Sequence, residues 1–442
     1  MNDRQPPTPR GPSRQGLSWL GRYFEKEAIR FFAVSMLVVC LGMLVVALVT
    51  SRGGRTIFGS DLGGDYATFY VAGTILNHHP PDKLYDLELQ NRTYHSLLPG
   101  ILREQKVYYV HAPFFALLFQ PLALLPYFIS YLVWLAVSAA SYAAGIIVLQ
   151  RSLTAIPREE VLTALLLSVS FVPFVLECWM GGNASTIGFF FIVLGVHFER
   201  LRQPVLSGMA LSFCLYKPTL LLLLLPMLAL GRRGKSLLGF ATGSLLLAAV
   251  SVLILGREAC GIYVEMLWRF VSAKSAAVET IRTFKYVDLV SCVRLLVGGP
   301  TTLSWAIVAL IAAVSIFVLL RAWWGLLAYD DSRRDLTWAG TLAWTPVLNL
   351  HAGIYDTVIV VAAMFLTANA LHQRSVEAVS SLPRIFKTML ALLYLVPWFS
   401  QHLARLIGFQ IITVVLFASG LYQLWLAAGL PRRSLRPPSQ GS

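Results

Sequence analysis

The chain has 442 residues, 57% hydrophobic and only 13% charged, with a mean hydropathy of +0.67. A soluble protein of this size has too little interior to hide that much apolar surface, so the composition excludes a soluble globular domain and calls for many membrane passes. The net charge of +14 would suit nucleic acid, but the Lys and Arg residues stand at the ends of apolar runs instead of forming a stripe, and no nucleic-acid partner is expected.

Residues 1–27 are polar, rich in Pro and Arg, and read as a disordered cytoplasmic segment without a signal cleavage site. Apolar runs then predict spans near 28–50, 127–149, 161–176, 185–198, 204–216, 218–230, 236–255, 302–321, 337–349, 353–371, 385–400 and 405–428. Several fall short of the ~20 residues a full crossing needs, which predicts tilted, broken or re-entrant segments. The short apolar piece Pro113–Leu125 reads as an interfacial or re-entrant helix. Two long loops remain, about 51–112 and 256–301, and a Pro/Arg/Ser tail covers 431–442. The expectation is an all-α integral membrane bundle, one domain over 28–430, with about twelve transmembrane helices and a large first extracytoplasmic loop.

The cations orient the spans. Arg22, Lys26 and Arg30 precede the first one and place the N-terminus inside. Alternation then puts Arg151/Arg158, Arg200/Arg202, Arg232/Arg233/Lys235, Arg321/Arg333/Arg334, Arg374/Arg384 and the C-terminal Arg432/Arg433/Arg436 inside as well. The short loops opposite carry one cation between them, Lys217. On that opposite, outer side fall the polar residues that look misplaced in so apolar a chain: Asp61, Asp65, Glu177, Asn183, Lys217, Asp288, His351 and Asp356. Ionisable groups near membrane depth are costly and usually face a cavity, so their gathering on one side predicts one outward-facing site. A transporter would more often hold its polar groups near the midplane on repeated broken helices.

The five cysteines show no metal-ligand spacing. Cys260 and Cys292 share a loop and would be able to bridge in an oxidising compartment, although unpaired thiols are the simpler expectation. In the same loop, Arg269, Lys274, Arg282 and Lys285 alternate with Trp268, Phe270, Phe284 and Tyr286, the pattern of a segment lying on a membrane interface. Such a segment either gates a lipid substrate or simply anchors the chain.

Several stretches in order resemble glycosyltransferase family 87. They are Gly64-Asp65-Tyr66-Ala67-Thr68-Phe69-Tyr70-Val71-Ala72-Gly73 with Leu84-Tyr85-Asp86, the piece from Pro113 to Pro126, Gly182-Asn183-Ala184, Tyr216-Lys217-Pro218, and Leu350-His351-Ala352-Gly353-Ile354-Tyr355-Asp356. Two departures stand out. The usual Tyr-Pro-Pro is His111-Ala112-Pro113 here, and the usual Gly-Gln before the Asn is Gly181-Gly182. The resemblance implies a GT-C-type polytopic fold with a catalytic acid in its first outer loop. It also implies transfer of a hexose, mannose above all, from a polyprenyl-phosphate donor to a lipid-linked or envelope glycan acceptor, with inversion. The implied location is a bacterial inner membrane.

Such a transfer needs a base for the acceptor hydroxyl, cations for the departing phosphate, and a pocket holding both substrates in line, with no metal or other cofactor required. Asp65 is the expected base, against the alternative of a loop aspartate capping the helix that starts at Tyr66. Asp61 reads as loop polarity. Lys217 either binds the donor phosphate or snorkels to the headgroups. His351 is a candidate contact to donor phosphate or sugar, Asp356 a partner for His351 or Lys217, and Asn183 and Tyr70 complete the expected donor-binding set. The rival reading from another class is a non-enzymatic transporter or flippase of lipid-linked sugars.

Overall fold

The computed structural model describes residues 26–100, 108–273, 283–324, 330–374 and 382–429. The expected disordered N-terminal segment and the tail lie outside the described residues almost entirely, as do the side chains of Arg269, Phe270, Lys274 and Arg282. Among the described residues there is no β-strand, only isolated bridges such as Tyr286 to Gly353. The fold is all-α.

Helix α1 (Lys26–Thr50) shows why these runs become membrane helices. It buries Ala33, Cys40, Leu44 and Ala47 along one stripe, while Phe31, Val38, Val45 and Val49 on the remaining faces stay exposed. A helix apolar all round, yet packed on one face only, has lipid as its other neighbour. Helices α2 (Tyr66–His78), α3 (Tyr127–Ser152), α4 (Ser185–Arg200), α5 (Gly234–Ala273), α6 (Thr302–Trp323), α7 (Asp331–Trp344), α8 (Val360–Arg374) and α9 (Ile411–Ala428) carry the rest of the architecture. α3 packs on α4, α5 on the helix Pro204–Ser212, and α7 lies between α8 and α9 at the centre. Residues Asp335–Trp344 of α7 are buried throughout.

Among the described residues six helices are long and apolar enough to cross a bilayer, or up to eight if each of two bent pairs is one span. Those pairs bend by 47° between Val169 and Pro173 and by 68° between Trp398 and Ser400. The expected spans at 204–216 and 218–230 appear as shorter apolar helices, each beginning at a proline and partly wound as 3-10 turns. The full count of twelve therefore exceeds what helix length and apolarity support, because a run of apolar residues does not register the 3-10 and π turns that shorten it.

The described parts of both long loops carry helices. Residues 51–112 contain α2 and the helix Leu87–Leu97, whose first turn Asp86 caps through bonds from the Glu88 and Leu89 amides. The second loop does not begin at 256. There Gly256 adopts φ 83, and α5 continues beyond it to pack on Pro81–Tyr85 and Pro113–Ala116. The charged pair Arg257 and Glu258 follows directly on that bend. All five cysteines are free, Cys260 and Cys292 included.

Charged groups gather at the two ends of α4. At one end Ser185 bonds to Asp356. At the other, Arg200 pairs with buried Asp335, to which Asn369 also donates at 2.9 Å, while the neighbouring Glu199 pairs with Arg233. The rise of an α-helix puts roughly 22 Å between Ser185 and Arg200, much of a bilayer's hydrocarbon thickness. The Arg200 end is a clasp of buried ion pairs. The Ser185 end is different.

Candidate active site

The site begins where two glycine turns meet. Gly64 has φ +46 and Gly182 φ +68, conformations that L side chains rarely adopt. A Cβ on Gly64 would come within 2.6 Å of the Gly181 carbonyl, and one on Gly182 within 2.2 Å of the Gly63 carbonyl. The amide of Asp65 donates to Gly181 O at 2.9 Å. One face of α3 clamps both turns: Tyr127 donates to Leu62 O at 2.6 Å, Tyr131 to Met180 O at 2.6 Å and Trp134 to Gly182 O at 3.0 Å. Behind them Tyr66 stacks on Trp134 and Phe69 on Phe119. Aromatic pairs of this kind add about 0.5–1.5 kcal/mol each beyond the area they bury.

This clamp presents Asp65 to a run of polar side chains. Asn183 Nδ2 donates to Asp65 Oδ2 at 2.5 Å. Asn183 Oδ1 accepts from the Ser185 amide at 2.9 Å and hydroxyl at 2.7 Å. The same hydroxyl lies 2.7 Å from Asp356 Oδ1, which also receives Lys217 Nζ at 2.6 Å. Asp356 Oδ2 accepts from the Gly353 amide at 3.2 Å. Lys217 stands at a break between two 3-10 turns, with φ −136, and its ammonium sits 4.4 Å from the centre of the Tyr355 ring. Residues from four separate parts of the chain thus form one polar file, Asp65–Asn183–Ser185–Asp356–Lys217.

Within that file the two acids differ. The Asp356 side chain is 1% exposed and its pairing with Lys217 compensates its burial. Asp65 is half-buried, and although it is the first residue before α2 it makes no capping bond to that helix. One of its oxygens is held by Asn183, and the other has no hydrogen bond among the described residues. Burial pushes the Asp65 carboxyl above the usual carboxylate range, the Asn183 bond and Lys217 pull it back, Asp356 pushes it up further, and Lys285 lowers it. A partly desolvated carboxylate with an uncommitted oxygen is suited to taking a proton.

The remaining expected residues spread around this file. His351 adopts φ +60, uncommon for a residue with a Cβ, and meets the Tyr286 ring edge-on at 5.3 Å. It adjoins the Asp65 file through the turn that carries Asp356. Tyr70 is 5% exposed and its hydroxyl donates to Leu125 O at 2.7 Å, so it packs α2 against the 113–126 segment. Asp61 accepts from Tyr94, and Asp288 caps the helix Leu289–Val297.

Three neighbours were not expected at the site. Ser185 joins the two acids, and Tyr355 lies under Lys217. Lys285, exposed on the turn Thr283–Lys285, is close enough to act electrostatically on both Asp65 and Glu177. Its turn is held by Gln410, whose amide donates to Phe284 O and Tyr286 O at 2.9 Å each. Serine in an apolar helix gives little sequence signal, but Tyr355 and Lys285 each adjoin a residue already singled out. A shallow cleft of about 420 Å³ lined by Leu230, Phe317, Leu320, Arg321 and Trp324 involves none of these residues.

The model of glycosyltransferase family 87 matches residues 109–348, more than half of the chain. Asn183 and Lys217 fall within the match; Asp65, His351 and Asp356 lie beyond its ends. No curated protein and no solved structure matches the chain.

Proposed function

This chain belongs to glycosyltransferase family 87, and from that premise we propose that it transfers a hexose, mannose first among the candidates, from a polyprenyl-phosphate donor to a lipid-linked or envelope glycan, with Asp65 as general base. The observation that carries the reading is the held carboxylate: Asn183 fixes one oxygen of Asp65 at 2.5 Å and leaves the other open. In the proposed step that open oxygen takes the proton of an acceptor hydroxyl as the hydroxyl oxygen bonds to the anomeric carbon. The bond from that carbon to the donor phosphate breaks on the opposite side, and the polyprenyl phosphate leaves with the electron pair. A single displacement inverts the anomeric centre and needs no covalent intermediate.

The departing phosphate gains negative charge, and fixed cations stabilise it. Lys217 is held by its pairing with Asp356 and its seat on Tyr355, and Lys285 adds an exposed cation whose charge reaches Asp65. His351 is the candidate sugar or phosphate contact at the rim. In this reading the bundle has the GT-C arrangement, both termini are cytoplasmic, and the Asp65 end of α4 faces away from the cytoplasm. The distribution of cations over the short loops supports that orientation.

The test uses purified protein in detergent with radiolabelled polyprenyl-phosphate mannose and an alkyl mannoside acceptor. Label should pass to the acceptor with wild-type protein. If wild-type protein instead carries the donor across vesicle membranes without consuming it, a flippase is the correct reading.

A further inference from the structure

His111 stands where the chain departs from the Tyr-Pro-Pro pattern, and the structure gives it a defined chemical state. Its Nδ1 lies 3.0 Å from the main-chain carbonyl of Tyr216. A carbonyl only accepts, so Nδ1 carries the proton and Nε2 is left with a lone pair. Nε2 makes no hydrogen bond among the described residues, and His111 is only half-buried. Its own carbonyl accepts from Tyr85 at 2.8 Å, which fixes the backbone.

The ring packs against residues that adjoin both parts of the proposed site. On one side it meets Phe69 at 5.2 Å, four residues after Asp65 and in the first turn of α2. On the other it rests against Tyr216 at 5.9 Å, the residue before Lys217. Phe115 and Tyr109 complete its setting at 5.8 and 5.6 Å. Burial first, and then the Lys217 ammonium, lower its pKa to about 4, so the imidazole is neutral at physiological pH.

We propose that His111 is a substrate-positioning residue whose Nε2 accepts a hydrogen bond from a sugar hydroxyl bound between Asp65 and Lys217. This rests on the glycosyl-transfer reading above. Lys217 only donates and Asp65 is occupied with the proton it removes, so His111 supplies the neutral acceptor that a polyhydroxylated ligand needs for a fixed orientation. The hydroxyl belongs either to the sugar being transferred or to the acceptor, and the kinetics separate the two.

Two amide variants dissect the ring. In His111→Asn the side-chain amide keeps a donor for Tyr216 O but has no atom at the Nε2 position. His111→Gln reaches the Nε2 position instead. With farnesyl-phosphate mannose and octyl α-mannoside as probes, His111→Asn should raise KM for one of them roughly 3- to 10-fold, the worth of one neutral hydrogen bond, with kcat and melting temperature unchanged. His111→Gln should recover part of that loss. A rise in the donor KM assigns the hydroxyl to the transferred sugar; a rise in the acceptor KM assigns it to the acceptor. The proposal is overturned if His111→Asn stays within twofold of wild type for both probes, or if both variants lose kcat and melting temperature together while KM holds. Absence of any transfer by wild-type protein strikes the parent reading instead. His111 is then judged by binding of farnesyl-phosphate mannose: weaker binding by the Asn variant upholds its role, and equal binding removes it.

Discussion

Asn183 and Asp65, 118 residues apart in the chain, are joined by an amide-to-carboxylate hydrogen bond of 2.5 Å. The bond orients the carboxylate and favours its charged form, while burial opposes that form. Neither influence alone would give a usable base. Full exposure would leave a weakly basic carboxylate near its ordinary value, and burial without Asn183 would leave it protonated over more of the working pH range.

Replacing Asp65 with Asn tests the base directly. The amide has nearly the same shape, so the turn against Gly181 and the packing of α2 should survive, and the melting temperature should stay near wild type. Transfer should fall by about 10²–10⁴-fold, the usual worth of a positioned general base. The measurement is initial rate with both substrates saturating. A rate near wild type would remove Asp65 from the chemistry.

Asn183→Ala should show itself in the pH profile. Proton removal needs the Asp65 carboxylate, so activity rises as pH climbs through the pKa of Asp65. That pKa already lies above the ordinary carboxylate range, and the Asn183 bond is the largest of the effects holding it down. Removing the bond should move the acid limb to higher pH, with a larger loss of kcat at pH 6 than at pH 8. A uniform loss across that range would mean that Asn183 acts on geometry alone.

Most of the bundle was legible from apolar runs, because a lipid-facing helix declares itself by composition over its whole length, as α1, α6 and α9 do. The extension of α5 past Gly256 was not, since Arg257 and Glu258 look like a loop when read one residue at a time. The site was legible through cost. Asp65, Asn183, Lys217 and Asp356 are conspicuous in so apolar a chain, and their one-sided distribution suggested a shared location before any contact was visible. Ser185 escaped notice because serine occurs freely in membrane helices, where it usually bonds its own backbone. Asp356, expected as a partner for His351 or Lys217, is engaged by Lys217, Ser185 and Gly353, while the Tyr70 hydroxyl, expected in the donor-binding set, bonds Leu125.

The Lys217–Asp356 pair should be strongly coupled. Lys217→Met leaves a carboxylate that is 1% exposed without its cation. It should cost about 3–5 kcal/mol of stability, as removing one partner of a buried pair does. Asp356→Asn should cost less, because Asn keeps a polar group for Ser185 and Gly353 and the Lys217 side chain, 16% exposed, reaches water. The double variant should be more stable than the sum of the single losses predicts, by about 0.5–3 kcal/mol. Thermal unfolding in detergent, followed by intrinsic fluorescence, measures all three. Additive losses would show that the pair is not coupled.

Gly182→Ala addresses the joint between the turns. The added methyl would sit 2.2 Å from Gly63 O and 2.6 Å from the Tyr66 Cβ. The first is backbone and the second the root of a buried side chain, neither the tip of a flexible one, so the turns must separate. The positive φ adds strain whatever room is made. Since the Asp65 amide is anchored on Gly181 O, parting the turns moves the carboxylate away from Asn183. The variant should therefore lose transfer activity and melt lower together. Gly59→Ala provides the control: it has a similar positive φ of +77, but nothing lies within 4 Å of its added methyl. It should pay backbone strain without displacing Asp65, lowering stability modestly while leaving kcat intact. Equal effects at the two glycines would show that strain, and not the contact between the turns, governs the site.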